Sequence, residues 1–209
     1  DDVRQLADHL QLDRFTAMGW SMGGPFAVAT AAALPDRVDA TVLVGALPPL
    51  DDRVAFAGLD SFNRRIYRLA RRAPWLLVPL LQLMVARRHR DPAGFQQRYY
   101  AHAPKADRLA ATDPNLGPVL QASHAEATVH GVQGLAQELR LVATAWTIDL
   151  STIEMPVRLI YGSDDHVVGD SALSSYHRLF PCASTSVVPH AGHLAPLTHW
   201  EDVLDASFR

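Results

Sequence analysis

A single cysteine, Cys182, is all the thiol in this 209-residue chain. One cysteine cannot form an internal disulfide, so no disulfide framework holds the fold, and a reducing compartment such as the cytoplasm suits it. Aromatic residues are sparse at 8%, and the formal net charge is only -3. A charge that small and mixed makes no footprint for nucleic acid or an anionic membrane, and neither is expected as a partner. No apolar run reaches the roughly 18 residues that would suggest a membrane span. The greasiest stretch, Trp75 to Val85, contains Pro79 and Gln82 and is flanked by Arg71, Arg72, Arg87, Arg88 and Arg90. It is expected to be a core-facing helix that lines part of a pocket, with solvated arginine ends. Internal repeats and low-complexity tracts are missing too.

What remains is 48% hydrophobic and 20% charged, the composition of an ordinary globular chain long enough to bury a substantial core. The start, Asp1-Asp2-Val3-Arg4, carries no methionine and no signal-type segment. Val3, Leu6, Ala7 and Leu10 recur at helical spacing behind two acidic residues, predicting an opening amphipathic helix. Four short β-branched or aromatic segments predict buried parallel strands: Arg14 to Met18, Ala40 to Gly45, Val157 to Tyr161, and Thr185 to Val188. Helices are expected over Pro25 to Leu34, Ser171 to Phe180, and Thr198 to Ser207. This alternation predicts an α/β fold with a mostly parallel sheet flanked by helices. Between Pro48-Pro49 and Met155-Pro156 the strand signals stop and helical periodicity takes over, broken at Pro74, Pro79, Pro92, Pro104, Pro114 and Pro118. The expectation is a core made of residues 1–50 and 150–209, with a helical cap over 51–149 lying above the carboxyl ends of the strands. Ligands of open α/β sheets bind at those ends.

The most informative stretch is Gly19-Trp20-Ser21-Met22-Gly23-Gly24. It is a G-x-S-x-G sequence between a strand-like run and a small-residue helical run, which predicts a sharp strand-to-helix turn with an exposed serine hydroxyl. Glycines two before and two after Ser21 are expected because strand and helix would pass too close for side chains. The backbone N–H of Met22 would point at the same place as the hydroxyl and could stabilise an oxyanion.

A serine needs a histidine to take its proton, and that histidine needs a carboxylate to fix its tautomer. In such a sheet the order is Ser, then Asp or Glu, then His. The third strand runs into Ser163-Asp164-Asp165-His166, and the fourth into His190-Ala191-Gly192-His193. Either aspartate could be the acid and either histidine the base. His190 and His193 lie three apart, but no third ligand has metal-site spacing, so no metal is expected and no organic cofactor either.

These segments together resemble the capped serine hydrolases of the α/β-hydrolase fold superfamily, related to carboxylesterases, carbon–carbon bond hydrolases and perhydrolases. The likeness runs through Gly19 to Gly24, Pro35-Asp36-Arg37-Val38, Tyr161-Gly162-Ser163-Asp164-Asp165, and Gly192-His193-Leu194-Ala195-Pro196. The resemblance implies Ser21 as nucleophile, Asp165 rather than Asp164 as acid, and His193 rather than His190 as base. A serine at the elbow sets the chain apart from haloalkane dehalogenases and epoxide hydrolases, which carry aspartate there. The implied activity is hydrolysis of a small apolar ester or related carbonyl compound through an acyl-enzyme.

The chain departs from that family at its start. The family's elbow follows the fifth of eight strands, whereas here it follows the first predicted strand. The loop that supplies a second oxyanion donor has no counterpart before Ser21, and the elbow strand would stand at a sheet edge. The chain therefore reads as the C-terminal part of a longer hydrolase. The alternative from a different class is an inactive fragment, or a non-catalytic ligand-binding homologue that keeps the three residues.

Overall fold

In the computed structural model, which describes residues 2–208, the β-branched runs form strands and the small-residue runs beside them form helices. Asp1, read as part of the acidic helix start, and Arg209, at the end of the core's second segment, lie outside the described residues. Strands β1 (Phe15–Trp20), β2 (Val38–Val44), β3 (Val157–Gly162) and β4 (Ser184–Val188) make one parallel sheet in the order β1-β2-β3-β4. Helix α1 (Asp2–His9) precedes β1, and α2 (Gly23–Ala33) carries the chain from β1 to β2. Parallel neighbours need such a crossover because a hairpin cannot join them.

Between β2 and β3 the described residues contain no strand. They form α3 (Arg53–Gly58), α4 (Ser61–Arg72), α5 (Leu77–Arg90), α6 (Pro92–Tyr99), α7 (Lys105–Thr112), α8 (Leu116–Glu126) and α9 (Gln133–Ala143). The prolines that mark breaks in the sequence sit just before helices or in their first turns, as Pro92 does at the head of α6 and Pro79 at the third residue of α5. Amide hydrogens there have no intrahelical partner, so proline removes nothing. Asp52, Asp60 and Asp91 cap α3, α4 and α6 by accepting backbone N–H groups. Helix α10 (Gly169–Leu179) joins β3 to β4, and α11 (Ala195–Thr198) and α12 (Trp200–Phe208) end the described chain.

Side-chain alternation along the strands covers both faces of the sheet. Leu43, Leu159 and Tyr161 pack with Val28 and Ala31 of α2 and Ala172 and Tyr176 of α10. Val42, Val44, Ile160 and Val188 face the other way, toward Val203 of α12. Each fully buried Val, Leu or Ile contributes about 1.5–3 kcal/mol relative to exposure. Only the two inner strands are buried as expected. Thr16 and Met18 of β1, and Ser184, Thr185 and Val187 of β4, are exposed. Both are edge strands, and an edge lacks the neighbour that buries a central strand.

The greasy stretch also departs from expectation. Leu77 and Leu81 are buried, but Trp75, Leu76, Leu80 and Leu83 face solvent, while Arg88, expected to be solvated, is buried. The helical period puts Arg88 seven residues after Leu81, on the inner face of α5. Among the described residues no single helix is long and apolar enough to cross a membrane.

Candidate active site

Ser21 sits where β1 ends, with φ at +54°, a left-handed conformation unusual for a residue with a side chain. Such a conformation costs on the order of 1–3 kcal/mol and persists only where its surroundings enforce it. Here Ser21 N–H donates to the Val44 carbonyl at 3.0 Å, and the Ser21 carbonyl accepts from Leu47 at 2.9 Å and Gly24 at 3.1 Å. Strand β2 and the segment after it thus hold the turn.

Close packing makes glycine necessary on one side of the serine as expected, and one residue further along on the other. A Cβ on Gly19 would lie 2.4 Å from the Gly23 carbonyl oxygen, so strand and helix do meet there. A Cβ on Gly23 would meet nothing within 4 Å, whereas one on Gly24 would lie 2.4 Å from Ala46 Cβ. The close approach is between the Gly19 side and Gly23's backbone, which tolerates a side chain pointing away. The tight position is Gly24. Met22 N–H, at the start of α2, has no partner among the described residues and remains available to an oxyanion.

The three sequence-predicted side chains come together. His193 Nε2 lies 2.8 Å from Ser21 Oγ, and His193 Nδ1 lies 2.9 Å from Asp165 Oδ2. The loops that follow β3 and β4 bring Asp165 and His193 to the same end of the sheet as the elbow. Asp165 is 7% exposed, and its other oxygen accepts from Val167 N–H at 2.9 Å and Val168 N–H at 3.4 Å. Gly45, at φ +47° just past β2, makes room for the pair: a Cβ there would lie 2.9 Å from Asp165 Oδ2 and 3.3 Å from His193 Nδ1.

The alternatives stay outside. Asp164 is half-buried and accepts from Ser163 Oγ, and His190 is exposed with its N–H donated to the same hydroxyl. Among the described residues no group of three His, Cys, Asp or Glu side chains is placed to hold a metal ion.

Burial is the largest single influence on His193 and disfavours its charge, but the carboxylates together outweigh it, Asp165 first and then Asp107 and Asp60. The histidine pKa is raised above its ordinary value. Trp20 Nε1–H donates to the His193 carbonyl at 2.9 Å and fixes the loop from the strand side.

Asp107 was not found by sequence reasoning. It lies in the first turn of α7, where an acidic residue looks like ordinary helix-dipole matching. In the fold it is 2% exposed, and its two oxygens accept from His193 N–H and Leu194 N–H, each at 2.9 Å. A helix from the 51–149 region thereby grips the backbone that carries His193. Burial pushes the Asp107 carboxyl pKa up, and the two N–H groups and the nearby His193 partly oppose that.

Asp107→Asn keeps one acceptor and leaves one buried N–H facing an amide, at an expected cost of about 1–3 kcal/mol in stability. Removing the negative charge also lowers the His193 pKa. The rising limb of any His193-dependent rate should therefore move to lower pH, as a pH–rate profile with parallel thermal melts would show.

Beside the elbow lies a cavity of about 250 Å³, lined by Met22, Phe62, Ile66, Leu81, Tyr99 and Leu139, among others. Its wall is mostly apolar and comes largely from helices α4, α5, α6, α8 and α9, with Ala127 and Thr128 from the segment just after α8.

A family model described as alpha/beta hydrolase fold matches residues 1–199. The pimeloyl-[acyl-carrier protein] methyl ester esterase of Aromatoleum aromaticum is 27% identical over 194 residues, 91% of this chain and 71% of that protein. A Bacillus subtilis protein named as a candidate 2-succinyl-6-hydroxy-2,4-cyclohexadiene-1-carboxylate synthase is 26% identical over 198 residues. That match takes in 92% of this chain but 64% of the relative, so the chain spans less than two thirds of its length. Among solved structures, a bromoperoxidase from Bacillus anthracis superposes with a TM-score of 0.63 at 18% identity, over 99% of this chain and 70% of that one. A hydrolase from Pseudomonas aeruginosa gives 0.63 at 20% identity, over 99% and 69%. At these identities the solved structures bear on the fold alone.

Proposed function

Because the chain belongs to the α/β-hydrolase fold family, we propose that it is the part of a serine hydrolase that carries the nucleophile, acid and base, acting on a small ester. Ser21 Oγ attacks the ester carbonyl carbon while His193 Nε2 takes its proton. Asp165 holds Nδ1–H and stabilises the imidazolium that forms. The carbonyl oxygen gains negative charge and is met by Met22 N–H. The imidazolium returns the proton to the leaving alkoxide as the carbon–oxygen bond breaks, leaving the acyl group on Ser21. A water molecule, deprotonated by His193, then attacks the acyl carbon, releasing the acid and restoring the serine. These steps call on no metal and no organic cofactor.

One observation carries the reading: an unbroken line of contacts from Ser21 Oγ to His193 at 2.8 Å and on to Asp165 at 2.9 Å, with the serine at positive φ. The Aromatoleum relative is named for cleaving a methyl ester, which favours an ester as the bond cut. In this reading residues 51–149 act as a cap over a core of 1–50 and 150–209. The cap's helices supply most of the cavity beside Met22, where an acyl group would lie.

The test is a fluorophosphonate probe, which acylation-competent serines capture covalently. One adduct on Ser21 is expected, absent from Ser21→Ala. A folded chain that takes up no probe would count against the proposal.

A further inference from the structure

Helix α5 turns Leu81, Met84, Val85 and Arg88 toward the cavity beside Met22, at spacings of three, four and seven residues. Three of these are the apolar residues that such a face calls for. The fourth is a guanidinium in a residue only 8% exposed. A buried charge is costly unless another charge compensates it.

The compensation within the chain is incomplete. Arg88 Nη1 donates to the His124 carbonyl, and Nη2 donates to Thr128 Oγ1 at 2.9 Å. Nη2 also lies 3.2 Å from His89 Nε2, which must be the acceptor because a guanidinium has none to offer. None of the three partners is a carboxylate. The His124 carbonyl belongs to the last turn of α8, whose end carries roughly half a negative charge at most. Among the described residues no aspartate or glutamate forms an ion pair with Arg88. His124 has its pKa lowered, by burial first and by the Arg88 charge second.

A capping arginine could make the same backbone contact from the surface with its head in water. Arg88 instead forms part of the cavity wall, with polar hydrogens to spare.

We propose that Arg88 is an anion anchor, and that the preferred acyl group carries a carboxylate at the end remote from the ester. This rests on the Ser21 hydrolase reading, because Met22 beside the nucleophile and Arg88 line one cavity. Methylenes of the acyl chain lie against Phe62, Ile66 and Leu139, and the terminal carboxylate meets the guanidinium. A planar guanidinium suits that partner better than an ammonium does.

Calorimetry on a Ser21→Ala background, where no turnover occurs, tests the anchor directly. The probes are monomethyl esters of straight-chain dicarboxylic acids with four to ten carbons, against uncharged methyl esters of matching length. The carboxylate series is expected to bind at least about tenfold tighter at low salt, with the margin shrinking as ionic strength rises. Adding Arg88→Met should abolish the difference between the two series, and Arg88→Lys should keep part of it. Equal binding of the two series, or no binding of either by the folded chain, overturns the anchor. Should Arg88→Met fail to fold, the wild-type arginine's preference and its salt dependence still decide the matter. Probe labelling of Ser21 without any carboxylate preference sinks the anchor alone. Carboxylate preference without labelling sinks the hydrolase reading and leaves an anion-binding cavity.

Discussion

His193→Ala is expected to slow acylation of Ser21 by on the order of 10⁴- to 10⁶-fold. A serine hydroxyl does not ionise near neutral pH, and among the described residues His193 Nε2 is the group within hydrogen-bond reach of Ser21 Oγ. Removing the imidazole leaves binding in the cavity and the Met22 N–H, which sustain only residual reaction. The variant should still fold. The contacts that fix the loop, from Trp20 Nε1 to the His193 carbonyl and from His193 N–H to Asp107, belong to the backbone and survive the change. Rates of fluorophosphonate adduct formation, followed by intact-mass spectrometry on correctly folded protein, give the comparison. A loss below tenfold would remove His193 from the role assigned to it.

Asp165→Asn should cost about 10⁴-fold, through tautomer choice. Asp165 must supply two acceptors at once, one to Val167 and Val168 N–H and the other to His193 Nδ1. Asparagine has a single carbonyl oxygen. If that oxygen keeps the two backbone donors, its NH₂ faces His193 and makes Nδ1 the acceptor. The ring proton then moves to Nε2, and the nitrogen beside Ser21 can no longer take a proton. If the amide flips, the histidine is served and a buried backbone N–H is abandoned, at about 1–3 kcal/mol. Loss of the carboxylate also lowers the His193 pKa, because Asp165 is the main influence raising it. The expected signature is a large fall in rate that higher pH does not restore, with a thermal midpoint near that of the parent. A rate within tenfold of the parent would mean that Asp165 only shapes its loop.

Ser21 could be found in the sequence because it follows a local rule: a strand ends, a tight turn follows, and glycines flank the serine. The same local reading reached the loops after the third and fourth strands, and only the family resemblance then favoured Asp165 over Asp164 and His193 over His190. Gly45 makes room for the Asp165–His193 contact and Gly24 for the elbow, yet their reasons lie in Asp165 and Ala46, residues distant along the chain. A neighbour-by-neighbour reading therefore credits Gly23 with work that Gly24 does. Asp107 and Arg88 were missed for a related reason. On their own helices they look like dipole matching and a solvated cation. Only packing against the His193 loop, and against α8, turns them into a clamp and an unpaired buried charge.

By itself, the amino-acid sequence determined the period of each segment, and hence four strands, the helices between them and the serine elbow. Those features depend on backbone preference and side-chain alternation, which act over a few residues. Tertiary structure added that β4 is the other edge, brought Asp165 and His193 into contact, and decided what faces the cavity beside Met22. Those outcomes depend on desolvation and on contacts between residues far apart in the chain, such as Ser21 and His193, 172 positions from each other. Burial is a property of the assembled molecule, so the cost of hiding the Arg88 charge exists only once α5 and α8 have closed around it.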